Sequence, residues 1–270
     1  MPTPLVFAHR GSSAALPEHT LAAYLRALDE GADGLECDVR LTRDGHLVCV
    51  HDRRLDRTSN GRGRVSAYTL AELNELDFGS WHPGESVDGM PVEDLPTDIP
   101  ADPSRTRLLT LDGLLRAVRS AGRRIELLIE TKHPTRYGSD VERRLVTLLR
   151  RHGLVDGTGA APVRVTVMSF SPLAVRRIRE LAPELPTVLL LEALPPWLRM
   201  NRLPFGARIA GPGLGLVRAR PQLVSRLRDA GYPVYVWTVN EPADLDLVLD
   251  QGVDGVITDR PALVLQRLGR

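Results

Sequence analysis

The stretch "GLECDVRLTRDGHLVCVHD", residues 34–52, holds two short apolar runs only a few residues apart. A parallel crossover needs about a dozen residues or more, so "GLECDVRL" and "LVCVHD" must pair antiparallel across the "RDGH" turn. A two-residue Asp44–Gly45 turn puts Arg43 opposite His46, Arg40 opposite Cys49 and Asp38 opposite His51. In that register Glu36, Asp38 and His51 converge on one side, and Cys37, of opposite parity, points the other way.

With the second run of this hairpin set aside, the chain alternates strands and helices. Strands are expected at "LVFAH", "GLECDVRL", "RIELLIE", "VRVTVMSF", "TVLLLE", "ARIAGPG", "PVYVWTV" and "GVITD". Between them, 3.6-residue periodicity marks helices such as "TLAAYLRALDEGA", "TLDGLLRAVRSAG", "DVERRLVTLLRRHG" and "SPLAVRRIRELAP". Eight parallel candidates joined by helices predict an α/β fold, a (β/α)8 TIM barrel. Residues 1–270 read as one barrel domain, and residues 53–106, too long for an ordinary connection, as an insertion subdomain over the barrel mouth.

Composition excludes several classes of function. Charged residues make up 26% of the chain and the net charge is +1, with the basic residues scattered, so no nucleic-acid footprint is expected. No window of about 18 apolar residues offers a membrane span, so no stable membrane insertion is expected. The start "MPTPLVFAHRG" lacks a signal-peptide pattern, and a cytoplasmic location is the expectation. Cys37 and Cys49 are too few for a disulfide framework and read as packing residues.

Barrel enzymes carry their working groups at the C-terminal ends of the strands. Those ends supply His9 and Arg10; Glu36 and Asp38; Glu130 and Lys132; Phe170; Trp237; and Asp259, with His51 added by the hairpin. Glu36, Asp38 and Glu130 offer oxygen ligands to a hard divalent cation, Mg²⁺ or Ca²⁺. His9 and His51 suit a general acid and base. Arg10 and Lys132 supply fixed positive charge for an anionic phosphoryl group. Phe170 and Trp237 are candidates either for packing on substrate carbons or for the upper core.

With these residues in place, the sequence resembles the glycerophosphodiester phosphodiesterases. The matching pieces, in order, are "AHRG", "PEHT", "GADGLECDVRLTRDGHLVCVHD", "IETK", "SF", "VWTVN" and "GVDGVITDRP". The resemblance implies a (β/α)8 barrel with an insertion after "HD", His9 and His51 as the acid/base pair, Glu36, Asp38 and Glu130 as ligands of a divalent metal, and Arg10 and Lys132 on the phosphate. The implied reaction is hydrolysis of a small glycerophosphodiester to an alcohol and sn-glycerol 3-phosphate through a cyclic phosphate. Two departures stand out: His19 where the family usually has Asn, and Thr131 where it usually has Leu. Alternatives are a lysophospholipase D, with residues 192–206 as an apolar rim, and a catalytically silent barrel that binds a phosphorylated ligand. A metal-independent phospholipase C shares the paired histidines but not the third carboxylate, Glu130. The leaving-group alcohol, the choice of metal and the oligomeric state stay open.

Lys132 is the chain's single lysine against 34 arginines. A compact ammonium and a planar guanidinium are not interchangeable beside a small anion, so a bulkier guanidinium at position 132 is expected to displace the phosphate or disturb the neighbouring ligand Glu130. Lys132→Arg is expected to lower kcat/KM; full activity of that variant would remove this explanation.

Overall fold

The computed structural model describes residues 3–83, 102–155, 162–194 and 202–270. Its eight parallel strands are β1 (Leu5–His9), β2 (Gly34–Leu41), β4 (Ile125–Thr131), β5 (Val163–Ser169), β6 (Thr187–Leu191), β7 (Ile209–Pro212), β8 (Tyr235–Val236) and β9 (Gly255–Thr258). They neighbour one another in the order β7-β6-β5-β4-β2-β1-β9-β8, and single parallel bridges from Ala210 to Val234 and from Gly213 to Trp237 bring the two ends together. The barrel expected from the alternation is therefore the observed fold.

Helices α1 (Leu21–Asp29), α2 (Leu70–Asn74), α3 (Pro103–Thr106), α4 (Leu111–Arg119), α5 (Asp140–Arg151), α6 (Pro172–Leu181), α7 (Leu214–Ala219), α8 (Leu223–Asp229), α9 (Pro242–Asp250) and α10 (Pro261–Arg267) complete the chain order. Thr20, Thr110 and Ser171 cap α1, α4 and α6 by accepting a backbone N–H with their side chains, as the polar residue before each apolar repeat suggests. Helices α7 and α10 were not expected from periodicity. Each is under two full turns, too short for a repeat to register.

Strand parity divides the barrel into two cores. Leu35, Cys37 and Val39 of β2 join Leu127 and Ile129 of β4 under the helices. Phe7, Leu128, Met168, Val188, Leu190, Ile209 and Ile257 fill the barrel interior. One layer towards the C-terminal ends, apolar side chains give way to charge. His9 is register partner of Glu36, and Asp38 of Glu130, so strands β1, β2 and β4 bring these groups together at two successive inward positions of β2. At the other end the barrel closes tightly around Phe7: a Cβ on Gly34 would lie 2.3 Å from the Glu126 carbonyl oxygen and 2.6 Å from the Phe7 ring.

The hairpin partner of β2 is β3 (Leu47–Cys49), antiparallel as expected, but the register differs by one residue. Val39, not Arg40, faces Cys49, and Arg40 faces Val48. The turn holds three residues rather than two: Thr42 N–H bonds the His46 carbonyl at 3.0 Å around Arg43, Asp44 and Gly45, and Gly45 has φ +83°. A left-handed glycine after a tight turn is the usual closure of a three-residue hairpin loop. Asp38 and His51 are therefore not a cross-strand pair; the Asp38 carbonyl instead accepts the Val50 N–H at 3.1 Å. Cys37 and Cys49 are both buried and unbridged.

Beyond β3, the described part of residues 53–106 builds a small core of its own. Leu55, Val65, Leu73 and Phe78, joined by Leu108 just beyond this stretch, pack on Val48 and Val50 of the hairpin. Residues 84–101 of this stretch lie outside the described residues, as do Trp197, Leu198 and Met200 of the proposed apolar rim.

Candidate active site

At the C-terminal end of the barrel, a cavity of about 270 Å³ is lined by His9, Arg10, Glu36, His51, Glu130, Lys132, Phe170 and Trp237, together with Met168, Leu190, Glu192 and Ile257. Asp38, 1% exposed, does not line it but pairs with Lys132 and Arg10, which do. The nine residues given a chemical role in the sequence thus come together. A larger cavity, about 330 Å³, opens at the opposite end among Glu126, Arg164 and Tyr235 and contains none of them.

Glu36, Asp38 and Glu130 bring ligand oxygens within 4.8 Å of one another, and all three carboxylates are buried. Like charges this close cannot all ionise without compensation. Lys132 supplies part of it: its Nζ lies 2.9 Å from Glu130 Oε1 and 3.2 Å from Asp38 Oδ1. Arg10 supplies more, with Nε 3.2 Å from Asp38 Oδ2 and Nη1 donating to Glu18 Oε1 at 3.1 Å. Burial would raise the Asp38 carboxyl, but Lys132, His19 and Arg10 hold it well below the usual carboxylate range. Burial and the Asp38 charge push Glu130 up to about 8, and the same two causes drive Glu36 upward. Two cations are therefore not enough for three carboxylates. This cluster of hard oxygen donors, short of positive charge, fits a divalent cation.

Each histidine is oriented by its own carboxylate. His9 Nδ1 lies 2.7 Å from Asp259 Oδ1, which also accepts from Ser13 Oγ at 2.9 Å, while Asn240 Nδ2 donates to Asp259 Oδ2 at 2.6 Å. His9 Nε2 is 4.0 Å from Glu36 Oε2. His51 Nδ1 lies 2.7 Å from Asp52 Oδ1, and the His51 carbonyl accepts from Arg40 Nε at 2.9 Å and Nη2 at 2.6 Å. Burial, opposed by Asp38 but aided by Arg10 and Lys132, brings the His51 imidazole down to about 4. With Nδ1 engaged in both residues, Nε2 is the nitrogen left for chemistry.

The backbone also takes part. Arg10 and Gly11 both have positive φ, 58° and 89°, which turns the chain sharply after β1 and aims the Arg10 N–H at Glu36 Oε2, 3.2 Å away. A Cβ on Gly11 would meet the Ala23 backbone at 2.7 Å, so helix α1 seats directly on this turn. Phe170 is 39% exposed and therefore not a core aromatic. It meets Trp237 edge-on at 5.3 Å, and Lys132 Nζ lies 5.8 Å from its ring centre. Trp237 packs on the inner core, and its Nε1 donates to the Gly211 carbonyl at 2.7 Å.

A model of the Glycerophosphoryl diester phosphodiesterase family matches residues 9–263. The chain belongs to this family. Membership makes it a phosphoric diester hydrolase, as the sequence suggested. A probable glycerophosphodiester phosphodiesterase 1 of Mycobacterium tuberculosis is 51% identical over 259 residues, spanning 96% of this chain and 90% of its own. A glycerophosphodiester phosphodiesterase of Bacillus subtilis is 35% identical, with 96% of this chain and 84% of its own covered. Among solved structures, an Oleispira antarctica phosphodiesterase in complex with the product sn-glycerol-3-phosphate superposes with a TM-score of 0.81 at 26% identity, covering 99% of this chain and 97% of that one.

Within this family frame, several side chains at the site escaped the sequence reading. Asp259 was noted only as a strand end; its orienting role depends on His9, 250 positions away. His19, the departure from Asn, donates its backbone N–H to the Arg10 carbonyl at 3.0 Å, while its side chain turns to Asp38. It is buried, with Nε2 2.9 Å from Asp38 Oδ2 and Nδ1 2.8 Å from the Tyr24 hydroxyl, which itself donates to the Glu36 carbonyl at 3.1 Å. His133, next to Lys132, lies 2.6 Å from the fully buried Glu142 of α5. Thr131 points away from the cavity, its hydroxyl 3.5 Å from the Met168 carbonyl.

Burial acts to raise the Asp259 carboxyl, but hydrogen bonds from His9, Asn240 and Ser13 hold it down at about 2. A folded-state value below the unfolded one, about 3.9, stabilises the fold above that pH and is lost as pH falls through the folded value. Asp259→Asn is expected to cost about 2 kcal/mol at pH 7, with the gap from wild type narrowing as pH falls from about 4 towards 2. Urea unfolding at pH 7 and pH 3 checks this; a gap that does not change with pH contradicts it.

Proposed function

We propose that this enzyme hydrolyses glycerophosphodiesters to an alcohol and sn-glycerol 3-phosphate, with His9 and His51 exchanging protons and Glu36, Asp38 and Glu130 holding a divalent metal, Mg²⁺ or Ca²⁺. The observation that carries the reading is the juxtaposition of three buried carboxylates within 4.8 Å with two carboxylate-oriented histidines that line the same cavity. The sn-glycerol-3-phosphate bound by the Oleispira antarctica relative supports the product assignment.

In this mechanism Arg10 and Lys132 draw the phosphoryl group to the cluster, and Phe170 and Trp237 pack on the glycerol carbons. A bound divalent cation supplies fixed positive charge at the phosphoryl oxygens. One histidine removes the proton of the glycerol 2-hydroxyl as its oxygen bonds to phosphorus. The other protonates the departing alcohol oxygen, leaving a cyclic phosphate. The roles then reverse: the second histidine takes a proton from water as its oxygen bonds to phosphorus, the bond from phosphorus to the glycerol 2-oxygen breaks, and the first histidine protonates that departing oxygen to restore the 2-hydroxyl. Asp259 and Asp52 keep each imidazole in the tautomer that exposes Nε2.

A second reading, lysophospholipase D activity, draws support from exposed apolar side chains: Phe170, which lines the cavity, and Leu173 in the first turn of α6; Phe205 is exposed too but does not line the cavity. Leu203 does not join them, since it is 7% exposed. No helix among the described residues is long and apolar enough to cross a membrane, so such activity would act on lipid presented at a surface.

The test is release of glycerol 3-phosphate from a panel of water-soluble glycerophosphodiesters and lysophospholipids, after chelation and after return of Mg²⁺, Ca²⁺ or Mn²⁺. Metal-restored turnover of the soluble diesters is expected, with His9→Ala and His51→Ala each losing on the order of 10²–10⁴-fold in kcat. Turnover confined to lysolipids would replace the main reading with the second, and turnover unaffected by chelation would remove the metal from it.

A further inference from the structure

The two oriented histidines are supported differently. Asp259, behind His9, is held by Ser13 and Asn240 of the barrel's own loops. Asp52, behind His51, is held by a cation from the insertion: Arg57 Nε donates to Asp52 Oδ2 at 2.7 Å. The same guanidinium makes a two-pronged contact with Glu18, Nη1 to Oε2 at 2.7 Å and Nη2 to Oε1 at 2.8 Å. Glu18 in turn accepts from Arg10 Nη1 at 3.1 Å.

These contacts form a continuous chain from His51 through Asp52, Arg57 and Glu18 to Arg10, and from Arg10 to Asp38. The segment that presents Arg57 is well anchored. Leu55 is fully buried in the insertion core, Thr58 is 5% exposed, and Ser59 Oγ donates back to the Leu55 carbonyl at 2.9 Å. Arg57 also lies over the Trp81 ring, 5.9 Å from its centre, so a second part of the insertion bears on the same guanidinium.

We propose that Arg57 is a positioning residue that locks the His51–Asp52 pair to the Arg10–Glu18 pair, making the insertion a working part of the active site rather than a cover. The inference rests on the acid/base and phosphate-binding roles given to His51 and Arg10 above. Its physical basis is the planar fork of the guanidinium. Three of its N–H groups are spent on two carboxylates that belong to different loops, one after β1 and one after β3. Fixing those loops relative to each other sets the distance between the group that moves the proton and the group that holds the phosphate, and errors of about 1 Å in such a distance cost about 100-fold in rate. A lysine has the charge but not the planar fork, so it cannot reproduce the two-pronged contact with Glu18 while also holding Asp52.

Arg57→Ala and Arg57→Lys, assayed on a soluble glycerophosphodiester with saturating metal, test the proposal. Arg57→Ala is expected to lower kcat by about 10- to 100-fold and to raise KM, since both loops lose their reference. Arg57→Lys is expected to keep the melting temperature near wild type yet recover only a minor part of kcat, a separation that loss of folded protein does not produce. The double variant Asp52→Asn with Arg57→Ala is expected to fall little below the worse single variant, because both changes act through His51. Full additivity, or a kcat for Arg57→Ala equal to wild type, overturns the proposal. His51→Ala runs alongside: if it is inactive while Arg57→Ala is not impaired, only the positioning role fails; if His51→Ala is active, the catalytic reading itself fails.

Discussion

Asp38 is the point on which the site depends. It is a carboxylate 1% exposed, and its two oxygens take Lys132, Arg10 and His19 at 3.2, 3.2 and 2.9 Å. A buried charge is tolerated only with partners close at hand, and here those partners come from β4, from the turn after β1 and from the loop before α1. Satisfying one carboxylate therefore fixes three segments of the barrel mouth. Glu36 and Glu130 lie beside it on β2 and β4 because strand parity and the parallel register leave them no other face. Leu128, Met168 and Ile257 of the apolar barrel interior lie against the cluster, Leu128 and Met168 as register partners of Glu36 and Glu130.

From this centre the histidines follow. His9 reaches the cluster as register partner of Glu36, and its outer nitrogen is tied to Asp259 after β9, the strand on the other side of β1. His51 reaches it from the hairpin, held by its backbone to Arg40 and by its ring to Asp52. The barrel thus delivers one imidazole and the hairpin with its insertion delivers the other. In an open cavity of about 270 Å³ this gives two imidazoles, two cations, and Glu36 and Glu130 around one small volume, with Asp38 close behind.

Much of this was legible in the sequence, for identifiable reasons. The alternation of β-rich runs and helical repeats is a local signal, and the barrel followed from it. Glu36, Asp38 and Glu130 were legible because a strand has a period of two and barrel sites sit at strand ends. The hairpin register was read one residue out because Gly45 adopts a left-handed conformation and lengthens the loop from two residues to three. Partnerships between distant segments were not legible. Nothing near Asp259 points to His9, and nothing near His133 points to Glu142, which hides on an otherwise amphipathic helix. Arg57 lies in irregular chain, where no period says which way a side chain faces. The change from Asn to His at position 19 was visible as a departure, but only the fold shows that the longer side chain reaches Asp38 and Tyr24.

The central claim is that the three-carboxylate cluster is a cation site completed by a divalent metal. Calorimetric titration of Mg²⁺ and Ca²⁺ into chelator-stripped protein measures it directly, without recourse to turnover. The account predicts one saturable site per chain, weakened by roughly tenfold or more in both Asp38→Asn and Glu130→Gln. Absence of saturable binding, or binding that both substitutions leave unchanged, would contradict it.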